Sequence, residues 1–159
     1  MTRDHQLSSS RLAAAALAAA FAIVFFAAAG AASAASCFGK KATIVSSKTK
    51  VTGTKDHDVI VVNGKKKHTI DGAGGHDRIC GSPGPDTVIG NGGNDKVDAR
   101  AGDDSATGST GNDTVLGGPG DDLVQGDKGN DDLEGGTGND RIEGLNGDDS
   151  LDGGDGNDT

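Results

Sequence analysis

The sequence predicts an all-β fold in which short units stack in one dimension as a solenoid. Aspartates recur at a constant interval of nine residues: Asp77, Asp86, Asp95, Asp104, Asp113, Asp122, Asp131, Asp140, Asp149 and Asp158. A glycine stands two residues before every one of them, and an apolar side chain stands two residues after each of the first nine. A fixed period over residues 72–159 indicates repeated structural units, each of which packs against its neighbours.

The nine-residue unit, G-x-x-G-x-D-x-U-x with U aliphatic, has two parts. Its first six residues contain the glycines, which accept positive φ and let the backbone turn sharply. Its last three residues, such as 114–116, are long enough only for a brief strand. The U side chain then points inward and its neighbours point outward. One unit cannot bury its aliphatic residue alone, so the array has to fold by stacking.

Residues 35–71 contain degenerate copies of the same unit and are predicted to cap the array of residues 72–159. Short strands are expected at 42–45 and 59–62. Asp58 follows Gly53 at the distance that separates the first glycine from the aspartate in the regular unit. His68 occupies the aspartate position of the next degenerate copy, and Val62 is one extra residue between the two copies. Irregular terminal units are common in repeat proteins because they cover the end of the stack.

The N-terminal residues 1–34 are predicted to be a secretory signal peptide. Two arginines, Arg3 and Arg11, precede an uncharged apolar stretch over residues 12–30, and small residues at 32–34 provide a cleavage pattern. We therefore expect a secreted, extracellular protein with no stable membrane insertion after cleavage. An uncleaved membrane anchor or lipidation at Cys37 are the alternatives that these residues leave open.

Two cysteines, Cys37 and Cys80, remain after the predicted leader. An even number of cysteines in an oxidising compartment predicts a disulfide that ties the start of the mature chain to the first regular repeat. Two separate free thiols are the alternative.

Charge is divided along the chain. Residues 39–67 carry eight lysines and two aspartates, a net of +6, whereas residues 72–159 carry five basic and twenty acidic residues, a net of −15. An acidic field of this size excludes nucleic acid as a partner and favours cations.

Oxygen ligands at regular spacing indicate calcium, which takes six to eight oxygens in flexible geometry. If each coil contains two units, equivalent turns lie two units apart in the sequence, and carboxylates from neighbouring coils can share an ion. All ten aspartates of the period are predicted ligands, in eight pairs from Asp77 with Asp95 to Asp140 with Asp158. Folding and calcium binding should then be coupled, because the thin core cannot offset chain entropy while the carboxylates repel.

The units resemble a known family. Gly-Gly-Thr-Gly-Asn-Asp-Arg-Ile-Glu at 135–143 and Gly-Gly-Pro-Gly-Asp-Asp-Leu-Val-Gln at 117–125 look like the nonapeptides of the RTX (repeats-in-toxin) family. The resemblance implies a right-handed parallel β-roll with several calcium ions in its turns. Residues 37–45 and 78–81 are also similar to small secreted actinobacterial calcium-binding proteins. The unit at 99–107 departs most from the pattern, with Ala99 and Ala106, and should form the weakest coil.

The sequence therefore favours a secreted, non-enzymatic calcium-binding protein with a structural or surface role and cell-surface or matrix components as candidate partners. The alternative is a calcium-dependent accessory or secretion module of a larger extracellular enzyme or toxin. The best catalytic material is His57, His68, His76 and Ser82, but no nucleophile motif surrounds the serine, and we interpret the histidines as solvated turn residues.

Overall fold

The computed structural model describes residues 35–159, so the predicted leader lies outside the described residues. This part of the chain contains fifteen β-strands and no helix. The strands are β1 Ser36–Cys37, β2 Lys40–Lys41, β3 Ile44–Ser46, β4 Lys50–Thr52, β5 Val59–Val62, β6 His68–Asp71, β7 Arg78–Cys80, β8 Asp86–Gly92, β9 Lys96–Asp98, β10 Ser105–Thr110, β11 Thr114–Pro119, β12 Leu123–Lys128, β13 Asp132–Thr137, β14 Arg141–Asn146 and β15 Ser150–Asp155.

Strands β3 to β15 form two parallel sheets that the chain enters alternately. The six-stranded sheet has the order β14-β12-β10-β8-β6-β4, and the seven-stranded sheet has the order β15-β13-β11-β9-β7-β5-β3. Each coil contributes one strand to each sheet, which gives a β-solenoid of about six turns. The predicted all-β parallel β-roll is confirmed.

The register of the sheets confirms two nonapeptides per coil. Val115 pairs with Val97 on one side and Leu133 on the other, each two repeats away. Near the N-terminus the step is one residue longer, as in the pairing of Ile60 with Ile79. The extra residue, Val62, is fully buried at the end of β5. The insertion is therefore accommodated by packing the Val62 side chain into the core.

The core consists of two columns of side chains, one from each sheet, that face each other across the roll. Their buried members are Ile60, Ile79, Val97, Val115 and Leu133 from one sheet and Val51, Ile70, Val88, Ala106 and Val124 from the other. Each buried Val, Ile or Leu stabilises the fold by about 1.5–3 kcal/mol. A coil supplies only two of them, so it depends on its neighbours above and below.

The predicted cap region contains β1 to β6. Strands β1 and β2 pair antiparallel, and this hairpin covers Val61 on the outer face of the seven-stranded sheet, beside Ala35 and Ala42. Cys37 and Cys80 form a disulfide there, which confirms the predicted pairing. Strand β5 lies where the sequence predicts it, whereas β3 begins two residues later than expected.

Replacing both cysteines by serine should destabilise the calcium-loaded roll. The bridge spans 43 residues of sequence, and closing a loop of that length restricts the unfolded chain by about 4 kcal/mol in the chain-entropy model. The Cys37→Ser/Cys80→Ser variant should therefore unfold at a lower temperature in a calorimetric scan at saturating calcium. Reductant should lower the midpoint of the parent protein and leave that of the variant unchanged. Equal midpoints for the variant and the disulfide-bonded parent would contradict this role of the bridge.

Candidate metal centre

The turns of the roll form two rows. Row 1 contains the turns that end at Asp58, Asp77, Asp95, Asp113, Asp131 and Asp149, and row 2 contains those that end at His68, Asp86, Asp104, Asp122, Asp140 and Asp158. Within each row, successive turns belong to successive coils. The side chain at the sixth repeat position enters the roll, and the strand that follows begins at that residue or the next.

The sixth-position carboxylates connect each coil to the one before it. The backbone N–H of Asp77 donates a 2.8 Å hydrogen bond to Oδ1 of Asp95, and the N–H of Asp95 donates one of 2.8 Å to Oδ1 of Asp113. All eight predicted pairs, in both rows, are joined in this way. The structure thus brings together every pair of aspartates that the spacing of two repeats predicts.

The second carboxylate oxygen of most of these residues is buried without a partner. Seven Oδ2 atoms have no hydrogen bond and almost no exposed surface: those of Asp77, Asp95, Asp104, Asp113, Asp122, Asp131 and Asp140. An unpaired charged oxygen inside a protein is costly unless a cation or a proton compensates it. Seven such atoms in two rows indicate cation sites.

Backbone carbonyls of the neighbouring coil approach the same space. A Cβ atom at Gly117 would lie 2.6 Å from Oδ2 of Asp122 and 2.6 Å from the carbonyl oxygen of Gly135. A methyl group at Gly117 would therefore displace oxygens from two coils, which explains the glycine at the first repeat position of every unit of the array except the one that begins at Ala99. Carboxylate and carbonyl oxygens are the ligands that calcium prefers.

Side chains alone do not complete such a site. Among residues 35–159, no three His, Cys, Asp or Glu side chains converge as a metal cluster. A six- to eight-coordinate ion would need backbone carbonyls as well. The glycine-rich turns supply them, so the oxygen set fits calcium.

The glycine at the fourth repeat position allows the coils to stack closely. Gly111 has a φ of 135°, and a side chain on it would overlap the carbonyl oxygen of Gly93 in the coil before. Glycine is needed there for both its backbone conformation and the space.

The fifth repeat position forms a second, exposed ladder that the sequence did not reveal. The backbone N–H of Asn130 donates a 3.0 Å hydrogen bond to Oδ1 of Asn112, and the N–H of Asn139 donates one of 2.8 Å to Oδ1 of Asp121. These bonds run in the opposite direction from those of the sixth position. Asn and Asp have short side chains whose oxygen can accept a hydrogen bond from a backbone N–H of the next coil. Their recurrence at the fifth position is the sequence feature from which this ladder could have been predicted.

Burial perturbs the acidity of the sixth-position carboxylates. It raises the pKa of Asp104 and Asp113 to about 7 and that of Asp77 to about 6, against the lowering effect of the backbone hydrogen bond that each accepts. Neighbouring carboxylates raise these pKa values further. Burial likewise raises the pKa of Asp122 to about 6. Without a cation, these carboxyl groups gain protons near neutral pH.

Asp86 differs from the other members of row 2. Its Oδ1 accepts from the backbone N–H of His68 at 3.1 Å and contacts His68 Nδ1 at 2.9 Å, and its Oδ2 accepts a 2.6 Å bond from the N–H of Ser82. Both oxygens are therefore satisfied by protein groups. His68 is 1% exposed, so the interpretation of this histidine as a solvated turn residue is wrong, whereas His57 and His76 do lie exposed and stacked.

The buried group around Asp86 is not arranged for catalysis. Ser82 Oγ lies 3.1 Å from His68 Nδ1, the same ring atom that contacts Asp86. A serine nucleophile needs a histidine whose two nitrogens bridge the serine and the acid. Ser82 is also fully buried, which leaves no room for a substrate.

Comparison with protein-family models agrees with this geometry. The model of the RTX calcium-binding nonapeptide repeat matches four times, at residues 71–106, 98–133, 107–142 and 125–159. The chain belongs to the RTX calcium-binding repeat family. RTX repeats bind calcium ions in their turns, so this array binds several ions. No curated protein and no solved structure matches the chain.

The described part of this RTX protein contains no helix long and apolar enough to cross a membrane.

Adding a methyl group at the fourth repeat position should disrupt the RTX array. Gly111→Ala forces a left-handed φ on alanine, which costs about 1–3 kcal/mol, and adds overlap with Gly93. Gly92→Ala is the matched control, because its Cβ would meet only Thr110 Oγ1 at 3.6 Å. In chemical unfolding at saturating calcium, the free energy of unfolding should fall strongly for Gly111→Ala and by less than about 1 kcal/mol for Gly92→Ala. Equal losses would contradict the close stacking of the coils.

Neutralising one buried carboxylate should weaken calcium binding. Asp113→Asn keeps an oxygen that can accept from Asp95 but removes the charge, so calcium affinity should fall at least about tenfold. Asp132→Asn removes the same charge from an exposed position at the start of β13 and should change affinity little. Isothermal titration calorimetry measures both. A similar small effect of the two substitutions would show that the buried carboxylate is not a ligand.

Acid should stabilise the calcium-free roll. The folded pKa values of Asp77, Asp104, Asp113 and Asp122 lie at about 6 to 7, above the ordinary value of 3.8. Their contribution to folding is therefore complete below about pH 3.8 and is lost as pH rises through 6 to 7. Circular dichroism of the calcium-stripped protein should show β signal increasing between pH 8 and pH 4. A loss of β signal over that range would contradict the burial of these carboxyl groups.

Proposed function

We propose that this protein is a secreted, non-enzymatic calcium-binding β-roll that folds when it meets calcium outside the cell and then serves a structural or surface role. The observation that carries the proposal is the set of seven buried Oδ2 atoms without partners. They have no use in a metal-free fold, and they recur at the period of the repeat.

Nine of the ten periodic aspartates are the proposed side-chain ligands: Asp77, Asp95, Asp104, Asp113, Asp122, Asp131, Asp140, Asp149 and Asp158. Calcium supplies the positive charge that balances each pair of carboxylates from neighbouring coils. The chain holds one oxygen of each carboxylate with a backbone N–H and directs the other into the turn. The turn glycines bring carbonyl oxygens to the same place.

Calcium concentration then controls folding by mass action. An ion that binds only the folded state stabilises it in proportion to the logarithm of its concentration over Kd. Extracellular calcium modules bind at ~10⁻⁴–10⁻³ M. The acidic array, with a net charge of −15 over residues 72–159, would repel itself in a calcium-poor cytoplasm and wind up after export.

Three features support the secreted and non-enzymatic parts of the proposal. Residues 1–34 have the composition of an export signal, and the Cys37–Cys80 disulfide suits an oxidising compartment. The serine and histidine with catalytic potential, Ser82 and His68, are both buried and hydrogen bonded to the same carboxylate. Cell-surface or matrix components are the proposed partners of the folded roll.

A calcium titration of residues 35–159 tests the proposal. Far-UV circular dichroism should show a cooperative gain of β signal with calcium, and magnesium at the same concentration should produce much less, because it demands a small octahedral site. The chelator EGTA should reverse the change. A spectrum that is the same with calcium and with EGTA would contradict calcium-driven folding.

A further inference from the structure

We propose that the first coils of the roll, residues 35–89, fold without calcium and form a seed on which calcium winds the remaining coils. In this seed, hydrogen bonds take the place of the metal at Asp58 and Asp86. The inference rests on the proposed function, because it assigns the calcium-dependent step to residues 90–159.

The turns have two backbone conformations. At the second repeat position, nine turns of the array have positive φ: Ala73, Asn91, Arg100, Ser109, Gly118, Asp127, Gly136, Leu145 and Gly154. Thr54 and Ser82 occupy the same position in their turns without positive φ. In these two turns alone among the aspartate-bearing turns of residues 35–159, the N–H of the second position donates to the carboxylate Oδ2, at 2.7 Å for Asp58 and 2.6 Å for Asp86.

Row 1 begins with a carboxylate that hydroxyl groups satisfy. Asp58 Oδ2 also accepts a 2.8 Å bond from Thr54 Oγ1, and its Oδ1 accepts one of 3.1 Å from Thr43 Oγ1. Asp58 is 7% exposed. It has no unpaired buried oxygen, unlike Asp77 in the next coil.

The first carboxylate of row 2 is Asp86, and a serine and a histidine satisfy it. Ser82 Oγ lies 3.2 Å from Asp86 Oδ1, in addition to the contacts from His68. Pro83 and Pro85 explain the turn, because a proline pushes the preceding residue into extended conformations. Ser82 and Gly84 therefore lie outside the left-handed region that most other turns of the array use at these two positions.

Other contacts of the seed are also independent of metal. The disulfide joins Cys37 to Cys80 across its coils. Its core contains three isoleucines, Ile60, Ile70 and Ile79, whereas the buried core of residues 90–142 contains none. More buried surface and fewer unpaired charges both lower the need for an ion.

The number of bound ions follows from the metal-free Asp86. Without Asp86 as a ligand, the pair of Asp86 with Asp104 holds no ion, and seven of the eight predicted pairs remain. The seed also presents formed edges of both sheets at β7 and β8, on which β9 and β10 pair in parallel. Winding from a preformed edge avoids the cost of nucleating the first coil.

Hydrogen exchange of residues 35–159 in EGTA, followed by mass spectrometry, tests the seed. Amides of β5 to β8 should exchange at least about tenfold more slowly than those of β10 to β15. Calcium should then slow the exchange of β10 to β15. Uniformly fast exchange in EGTA overturns the seed, and so does equal protection of all strands. If calcium slows no amide at all, the proposed function fails, while protection of β5 to β8 in EGTA still decides the seed.

Restoring a regular repeat tests the role of the turn that ends at Asp86. The variant His68→Asp/Ser82→Gly/Pro83→Thr/Pro85→Asn carries the residues of the turn at 135–140 and places an aspartate before Asp86. Native mass spectrometry should detect two more calcium ions than in the parent, one for the pair of Asp86 with Asp104 and one for the pair that His68→Asp forms with Asp86. Exchange of β6 and β8 in EGTA should become fast.

The control is Asp104→Asn in the parent, which should lose calcium while β5 to β8 stay protected. Asp86→Asn should retain all of the parent's calcium ions. Loss of an ion from Asp86→Asn, or no gain in the restored variant, would overturn the metal-free assignment of Asp86.

Discussion

The fold depends on burying a carboxylate between neighbouring coils with one of its two oxygens unpaired. The backbone of the preceding coil occupies the first oxygen, as Asp77 does for Asp95. The second oxygen faces backbone carbonyls, which are themselves acceptors and cannot satisfy it. In the proposed function, calcium resolves this conflict, because a divalent cation attracts carboxylate and carbonyl oxygens together. The period of nine, the glycines and the thin core all serve this arrangement.

The same constraint explains why the roll gains stability by adding coils. Each coil contributes about two buried aliphatic side chains, and Ala106 contributes only a methyl group. Hydrophobic burial of this size does not offset the entropy of ordering the two repeats of a coil. If ions are shared between coils as proposed, they join each coil to the next, so that metal binding and stacking reinforce each other. Protons can substitute for calcium only by removing the charge, and they provide no bond between coils.

Sequence reasoning predicted the topology because the period determines it. A spacing of nine with two units per coil specifies parallel sheets, a register of two units and the pairing of aspartates. It did not predict that one carboxylate oxygen would accept from the coil before, since that requires the position of the backbone. It also misjudged His68, because a histidine in a degenerate repeat looks like a surface residue. The burial of His68 depends on its contacts with Ser82 and Asp86. These two residues lie in the next turn of the same row, so they reach His68 only after the chain has completed one coil.

The most direct test is a calcium-grown crystal of residues 35–159 measured at a wavelength where calcium scatters anomalously. We expect anomalous peaks in both rows of turns, bonded to the seven buried Oδ2 atoms that have no hydrogen-bond partner, and no peak at Asp86. Peaks confined to the outer surface, with those Oδ2 atoms bonded to protein groups or water, would contradict calcium as the link between coils.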